Sequence, residues 1–486
     1  MVLLRGGRVI DPGTGLDEVA DVLVRDGKVA AVGQDLPAPD GAVVVDVTGL
    51  VVGPGFVDLH SHVHSVAAQR LQAMDGVTTA LDLESGLNPL DRAYAEAAAQ
   101  GRPLHYGFSA SWAAARAKVQ LGFEENADPW AAMHLLDDPR WLRSSTPAEL
   151  VAWLRVVEDE LAAGALGVGV PVGYAPQTDP AEFLSVAALA ASRDAPIFTH
   201  VRELVETDPN TRYDGSAELV RAAVETGAAM HHCHVNSTSL RHVDRVLDLI
   251  ARTQAEGSRV TVECYPYGAG STGIGAAFLA PERLGNLGIG PTAITLVDSG
   301  EQVADLGRLA ELRATDPAAS CIIAFLDDDD PVDRDLLRRS MAFPDSMVAS
   351  DAMPITWPDG TWDTYEWPLP PGGKTHPRTA GTYAKSLRQM VRESGAWTWL
   401  EAFRRCSWLP ARTLDTVAAG AAHKGHLGVG ADADIVVLDP ERITDTATYQ
   451  DSTRPSVGVH HLLVGGTFVV RDQQMQDALP GRPLRG

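Results

Sequence analysis

The chain has 486 residues, 45% of them apolar. That exceeds one ordinary domain of about 100–200 residues and leaves room for a barrel of about 250 with additions. Its 40 basic and 64 acidic side chains give a formal charge of −24, which repels nucleic acid and anionic membranes and argues against both as partners.

The four cysteines, Cys233, Cys264, Cys321 and Cys406, are dispersed and form no CxxC pair. They fit a reducing cytoplasm better than a disulfide scaffold. The opening MVLLRGGRVIDPG is too short in apolar residues for a signal-peptide core, and no run approaches the ~18 apolar residues of a membrane span.

In chain order, residues 1–54 read as strands. The stretch ADVLVRDGKVAAVG predicts a hairpin turning at Asp26-Gly27. From residue 55 to 418, apolar runs alternate with Ala/Leu-rich helical segments. FVDLH, TTALDL, PLHYGFS, ALGVGV, PIFTH, AAMHHCHV, VTVECY, CIIAFL and SMVAS are the strand candidates. Between them lie helices such as TPAELVAWLRVVEDELAAG, whose Leu150, Leu154, Val157 and Leu161 recur at helical spacing. Such alternation predicts a parallel α/β barrel. Residues 276–318 look like a small insertion, and the Trp/Pro/Gly-rich stretch 352–376 is a candidate lid. Residues 419–486 return to short strands, ADIVVLDP and HHLLVGGTFVVRD.

Ligand-type residues close five of the strand candidates. FVDL ends in His60-Ser61-His62, at the end of the first barrel strand, where barrel active sites form. Glu84 follows TTALDL, His200 follows PIFT, His234 closes HHCH, and Asp351 follows VAS. Imidazole with carboxylate suits a divalent metal, one or two ions of zinc, manganese, iron or nickel, with zinc favoured. His64, His231, His232 and His242 read as structural, and His376 as the best further functional candidate.

GPGFVDLHSH and GHLGVGADADIVVLDP resemble the amidohydrolase superfamily. GALGVGVPVGYAP, FTHVRE, HCHVN, VECYPYGAGST, SDAMP, KTHPRTAGTY, SWLPAR and DPERITDTATY together resemble the N-acyl-D-amino-acid deacylases (D-aminoacylases) over nearly the whole chain. The resemblance implies a (β/α)8 TIM-like barrel over 55–418 and a small β-sandwich from 1–54 with 419–486. It implies one metal held by His60, His62 and Asp351, and a second by His200 and His234. The family's Cys ligand after the second strand is Ser85 in LESG here, so Glu84 becomes the expected replacement ligand. His64 and Asn236 stand where the family commonly has Asp and Lys. Tyr265, Ser271 and Arg378 match substrate-binding positions. Asn236 is then expected to read a neutral polar group, and Arg378 to hold a carboxylate in two parallel hydrogen bonds.

The implied reaction is hydrolysis of a small linear amide, an N-acyl amino acid of D configuration, by metal-activated water. Asp351 is the expected base and then acid, with Tyr265 or a second metal steadying the oxyanion. Three alternatives stay open. A dihydroorotase- or hydantoinase-like cyclic-amide hydrolase shares the architecture, but its carboxylated Lys is missing from ALGVGVPVGY. A deaminase would use the His200-x-x-Glu203 spacing. A non-catalytic barrel would not need the ligand set. The partner is a small-molecule amide, and a homo-oligomer is left open.

Overall fold

The computed structural model describes residues 1–486 except 124–132, 134, 137, 210 and 212. The chain divides into two compact units. One is Met1–Leu81, Glu96–Gly107 and Met347–Arg485; the other is Asp82–Ala95 and Phe108–Ser346, with Gly486.

The first unit joins the two chain ends in one sheet. Neighbouring strands run Gln474–Met475, Thr467–Arg471, Val459–Val464, Ile435–Leu438, Val51–Pro54, Val2–Asp11, Leu16–Arg25 and Lys28–Gly33, and Val43–Asp46 adds to Val2–Asp11. The two ends meet where Ile435 pairs with Pro54 and Leu438 with Val51, antiparallel. These strands are rich in Val, Ile and Leu, which favour the pleated backbone. They bury Leu4, Val9, Val22, Val24, Val52, Ile435, Val437 and Leu463 in one core. The expected hairpin turns at Asp26 (φ +51°) and Gly27 (φ +75°). A two-residue turn matching strand twist needs positive φ at both positions, which Asp-Gly supplies.

The same unit carries the parallel pair Phe56–Asp58 and Val77–Asp82, with Val57 opposite Thr79. Helix Val66–Met74 follows the first strand, capped by the Ser65 hydroxyl accepting from the Ala68 N–H. The 352–376 stretch packs Trp357, Trp367 and Leu369 on Val63, Ala67, Ala68 and Leu71, and Asp363 accepts from the Ala67 N–H at 3.1 Å. Trp357 and Trp367 therefore pack the stretch against this helix, while Trp362 and Tyr365 stay exposed.

The second unit holds the parallel strands Ala110–Ser111, Val168–Val170, Ile197–Thr199, Met230–His232 and Val260–Cys264, neighbours in that order. Helices Pro147–Ala162, Pro180–Ser192, Gly215–Thr226 and Val243–Ala255 separate the last four from one another and from the first. Helix Pro147–Ala162 starts on a capping box of Thr146 and Glu149 with Pro at its first turn. Its fully buried positions are Trp153, Val157 and Glu160, so the buried face is turned from the expected one, and Leu150, Leu154 and Leu161 are half-buried.

One strand differs from expectation. CIIAFL does not continue the parallel series. Its strand, Ser320–Ala324, pairs antiparallel with Ala269–Gly273 and Ile294–Leu296 in a separate small sheet. Its burial alternates, with Cys321 and Ile323 inside. That is the signature of a half-covered antiparallel strand, whereas the parallel strand Ile197–Thr199 is buried throughout.

Candidate metal centre

Each unit carries its own set of metal-type donors. In the first, His60 and His62 follow strand Phe56–Asp58. The His62 N–H donates to the Ala352 carbonyl at 2.9 Å, which draws the segment around Asp351 alongside. The two imidazole Nε2 atoms lie 3.0 Å apart with their rings nearly perpendicular, at 86°. Asp351 Oδ1 is 3.4 Å from His60 Nε2 and 3.5 Å from His62 Nε2. Ligand bonds of about 2.1 Å at tetrahedral angles leave ligand atoms roughly 3.4 Å apart, so this triad has the spacing and the chemistry of a zinc-type donor set.

Asp351 stands at φ +49°, a conformation that L residues rarely adopt. Arg378 holds it there: the guanidinium Nη2 is 2.9 Å from Asp351 Oδ1, and Nε donates to the Asp351 carbonyl. Arg378 was expected on a substrate carboxylate; in the structure its buried guanidinium is engaged on Asp351. His376 Nδ1 accepts from the Arg378 N–H at 3.0 Å, and its ring meets Tyr449 edge-on. His376 thus anchors the start of the helix bearing Arg378.

In the second unit, Glu84, His200 and His234 converge. Glu84 Oε1 is 2.8 Å from His234 Nε2 and 3.2 Å from His200 Nδ1, and the three donors form a group able to hold an ion. Local structure fixes each of them. His234 sits at φ +32° before the short helix Val235–Ser239, and Ser237 Oγ lies 3.1 Å from its Nδ1. That contact orients the ring so that Nε2 faces Glu84. Two glycines make the approach possible. A Cβ on Gly169 would fall 2.3 Å from the Glu84 carbonyl oxygen, and one on Gly173 would fall 2.6 Å from the His200 ring.

The remaining expected residues divide. The Tyr265 ring lies 6.4 Å from that of His234. Asn236, expected to read a substrate group, gives both ends of its amide to the chain: Oδ1 accepts from the Tyr265 N–H at 3.3 Å and Nδ2 donates to the Tyr267 carbonyl at 3.4 Å. Ser271 stands on strand Ala269–Gly273, opposite Ile322. His231 pairs with Glu263 at 3.0 Å, and His232 contacts Ser216, with burial pushing its imidazole down to about 3 and keeping it neutral. Both are buried with partners inside the chain.

Sequence reasoning missed Tyr174 and Phe278. Their rings lie 4.7 and 6.0 Å from that of half-buried His200, and Tyr174 Oη is 2.9 Å from Thr272 Oγ1. Tyr174 lies within a quoted motif, GALGVGVPVGYAP, but no spacing rule marked it out. It also missed Asp58, whose buried carboxylate accepts from the His60 and Ser350 N–H groups.

The family described as Amidohydrolase family matches residues 43–470. The chain belongs to it. This amidohydrolase is 28% identical over 503 residues to the N-acyl-D-aspartate deacylase of Alcaligenes xylosoxydans xylosoxydans, covering 99% of this chain and 94% of the relative. The crystal structure of a D-aminoacylase superposes with a TM-score of 0.77 at 23% identity, covering 100% of this chain and 99% of that one. The N-acyl-D-glutamate deacylase from Bordetella bronchiseptica, solved with zinc and a phosphonate mimic of the tetrahedral intermediate, superposes at 0.75 with 25% identity, covering 100% and 99%. The fold is accordingly an α/β barrel with a β domain drawn from both chain ends.

Proposed function

We propose that this amidohydrolase is a zinc-dependent deacylase of N-acyl amino acids of D configuration. The observation that carries the reading is the convergence of His60, His62 and Asp351, whose donor atoms lie 3.0–3.5 Å apart. His60, His62 and Asp351 would hold one ion, and Glu84, His200 and His234 a second. The chemistry such an ion supplies is a lowered pKa for water and a polarised carbonyl. The full-length relatives named for N-acyl-D-aspartate and N-acyl-D-glutamate deacylation support the substrate class.

Asp351 is the proton carrier in this reading. Its carboxylate takes the proton of the attacking water and returns it to the departing nitrogen, the step that makes a poor amine leaving group departable. Arg378 keeps that carboxylate in one orientation through Nη2 and Nε. A guanidinium has five N–H donors, and we assign the substrate carboxylate to this same fork. Steadying the oxyanion is assigned to Tyr265 or to a second ion. Residues 55–418 form the hydrolase barrel, and 1–54 with 419–486 the β domain.

Among the described residues no helix is long and apolar enough to cross a membrane. The four cysteines are free and buried, which fits a reducing cytoplasm. The direct test is turnover of paired N-acyl-D- and N-acyl-L-amino acids by the zinc-loaded chain. Amine release from the D series supports the reading; turnover of cyclic amides alone overturns it.

A further inference from the structure

Asp58 lies two residues before His60 and is completely buried. Its two oxygens take four donors. Oδ1 accepts from the His60 N–H at 3.2 Å and the Ser350 N–H at 3.0 Å. Oδ2 accepts from Gln72 Nε2 at 2.9 Å and from the Ser350 hydroxyl. Gln72 in turn accepts from the Ser61 hydroxyl at 3.1 Å, and the Ser350 Oγ accepts from the Ala352 N–H at 3.1 Å.

His60 and Ser350 take part directly, and Gln72 passes the contact on to Ser61, so every branch reaches a metal donor or its neighbour in sequence. His60 is a donor, Ser61 lies between the two histidines, and Ser350 and Ala352 flank Asp351. One carboxylate therefore clamps two segments 292 residues apart in sequence. A buried carboxylate is costly unless its acceptor capacity is filled, and a barrel strand would bury an apolar residue here more cheaply. Stability alone does not account for the choice.

The geometry points to Asp58 as a positioning residue that sets the distance between the His60/His62 imidazoles and the Asp351 carboxylate. This inference rests on the metal reading above. Groups that orient metal ligands typically change metal affinity or activity by about 10–100-fold when removed.

The test uses the full-length chain, stripped of metal, with zinc affinity read by calorimetry, cobalt(II) absorption as a reporter of ligand geometry, and kcat and KM on the best substrate. Asp58→Ala should weaken zinc at least about ten-fold, shift the cobalt bands and lower kcat with KM within about three-fold. Asp58→Asn should recover most of the affinity, because Gln72 can turn over its amide and the Ser61 hydroxyl can rotate to match. Ser350→Ala keeps the peptide N–H bond to Asp58 and so decides the matter should Asp58→Ala not fold: it should shift the cobalt bands and lower kcat about ten-fold at unchanged KM. Variants with wild-type cobalt spectra and wild-type kcat would overturn the inference alone. A wild-type chain that binds no zinc would overturn the metal reading beneath it.

Discussion

His234 Nε2 lies 2.8 Å from Oε1 of Glu84, and both residues stand just beyond strand ends. The histidine reaches this point only through a left-handed backbone at φ +32° and a ring oriented by Ser237. Non-glycine residues adopt such conformations where the surrounding structure enforces them, commonly at functional sites.

Glu84→Ala should therefore remove the ion held with His200 and His234, since two imidazoles alone make a weak site. Metal analysis after dialysis should show one ion fewer per chain than wild type. Glu84→Cys should restore part of it, because a thiolate is a competent ligand on the same strand end. Full occupancy in Glu84→Ala would contradict the assignment.

Asp351→Asn should leave KM within a few-fold and cut kcat by at least ~100-fold, the scale of lost general acid–base help. Steady-state kinetics on the zinc-loaded variant is the check. A rate near wild type would mean that another group carries the proton.

Arg378 separates two roles. If the guanidinium only holds Asp351, Arg378→Ala should lower kcat equally for a free acid and its methyl ester. If it also reads the substrate carboxylate, the acid should lose about ten-fold more kcat/KM than the ester, since a charged hydrogen bond exceeds a neutral one by about 1–1.5 kcal/mol. We expect the second pattern.

Asp75 gives a pH-dependent stability. It is buried and accepts from the Tyr383 N–H, the Ala384 N–H and the Ser456 hydroxyl, and burial pushes its carboxyl up to about 8. The folded chain thus binds this proton more tightly than the unfolded chain. The associated stability is fully present below about pH 4 and is lost as pH rises toward 8, at up to about 1.4 kcal/mol per pH unit. Denaturant unfolding between pH 5 and pH 8 should show this slope in wild type and a flatter one in Asp75→Asn.

Much of this was legible from local pattern. Asp26-Gly27 announced a hairpin because few other residue pairs accept its backbone. His60, His62, Glu84, His200, His234 and Asp351 stood out because each closes an apolar run. What sequence left hidden was long-range. Ser320–Ala324 reads as apolar in any setting, and only its antiparallel partners separate it from the parallel series. Asp58 looked like one residue of FVDL, because its partners Gln72 and Ser350 are distant in sequence. That Arg378 also grips Asp351 was hidden, because the two lie 27 residues apart.

Zinc-dependent deacylation is tested most directly by amine release from matched N-acyl-D- and N-acyl-L-amino acids by the zinc-loaded chain, before and after chelation. Turnover of the D series should be lost on chelation and return with zinc. Absence of amine release from any N-acyl amino acid, with metal fully bound, would contradict it.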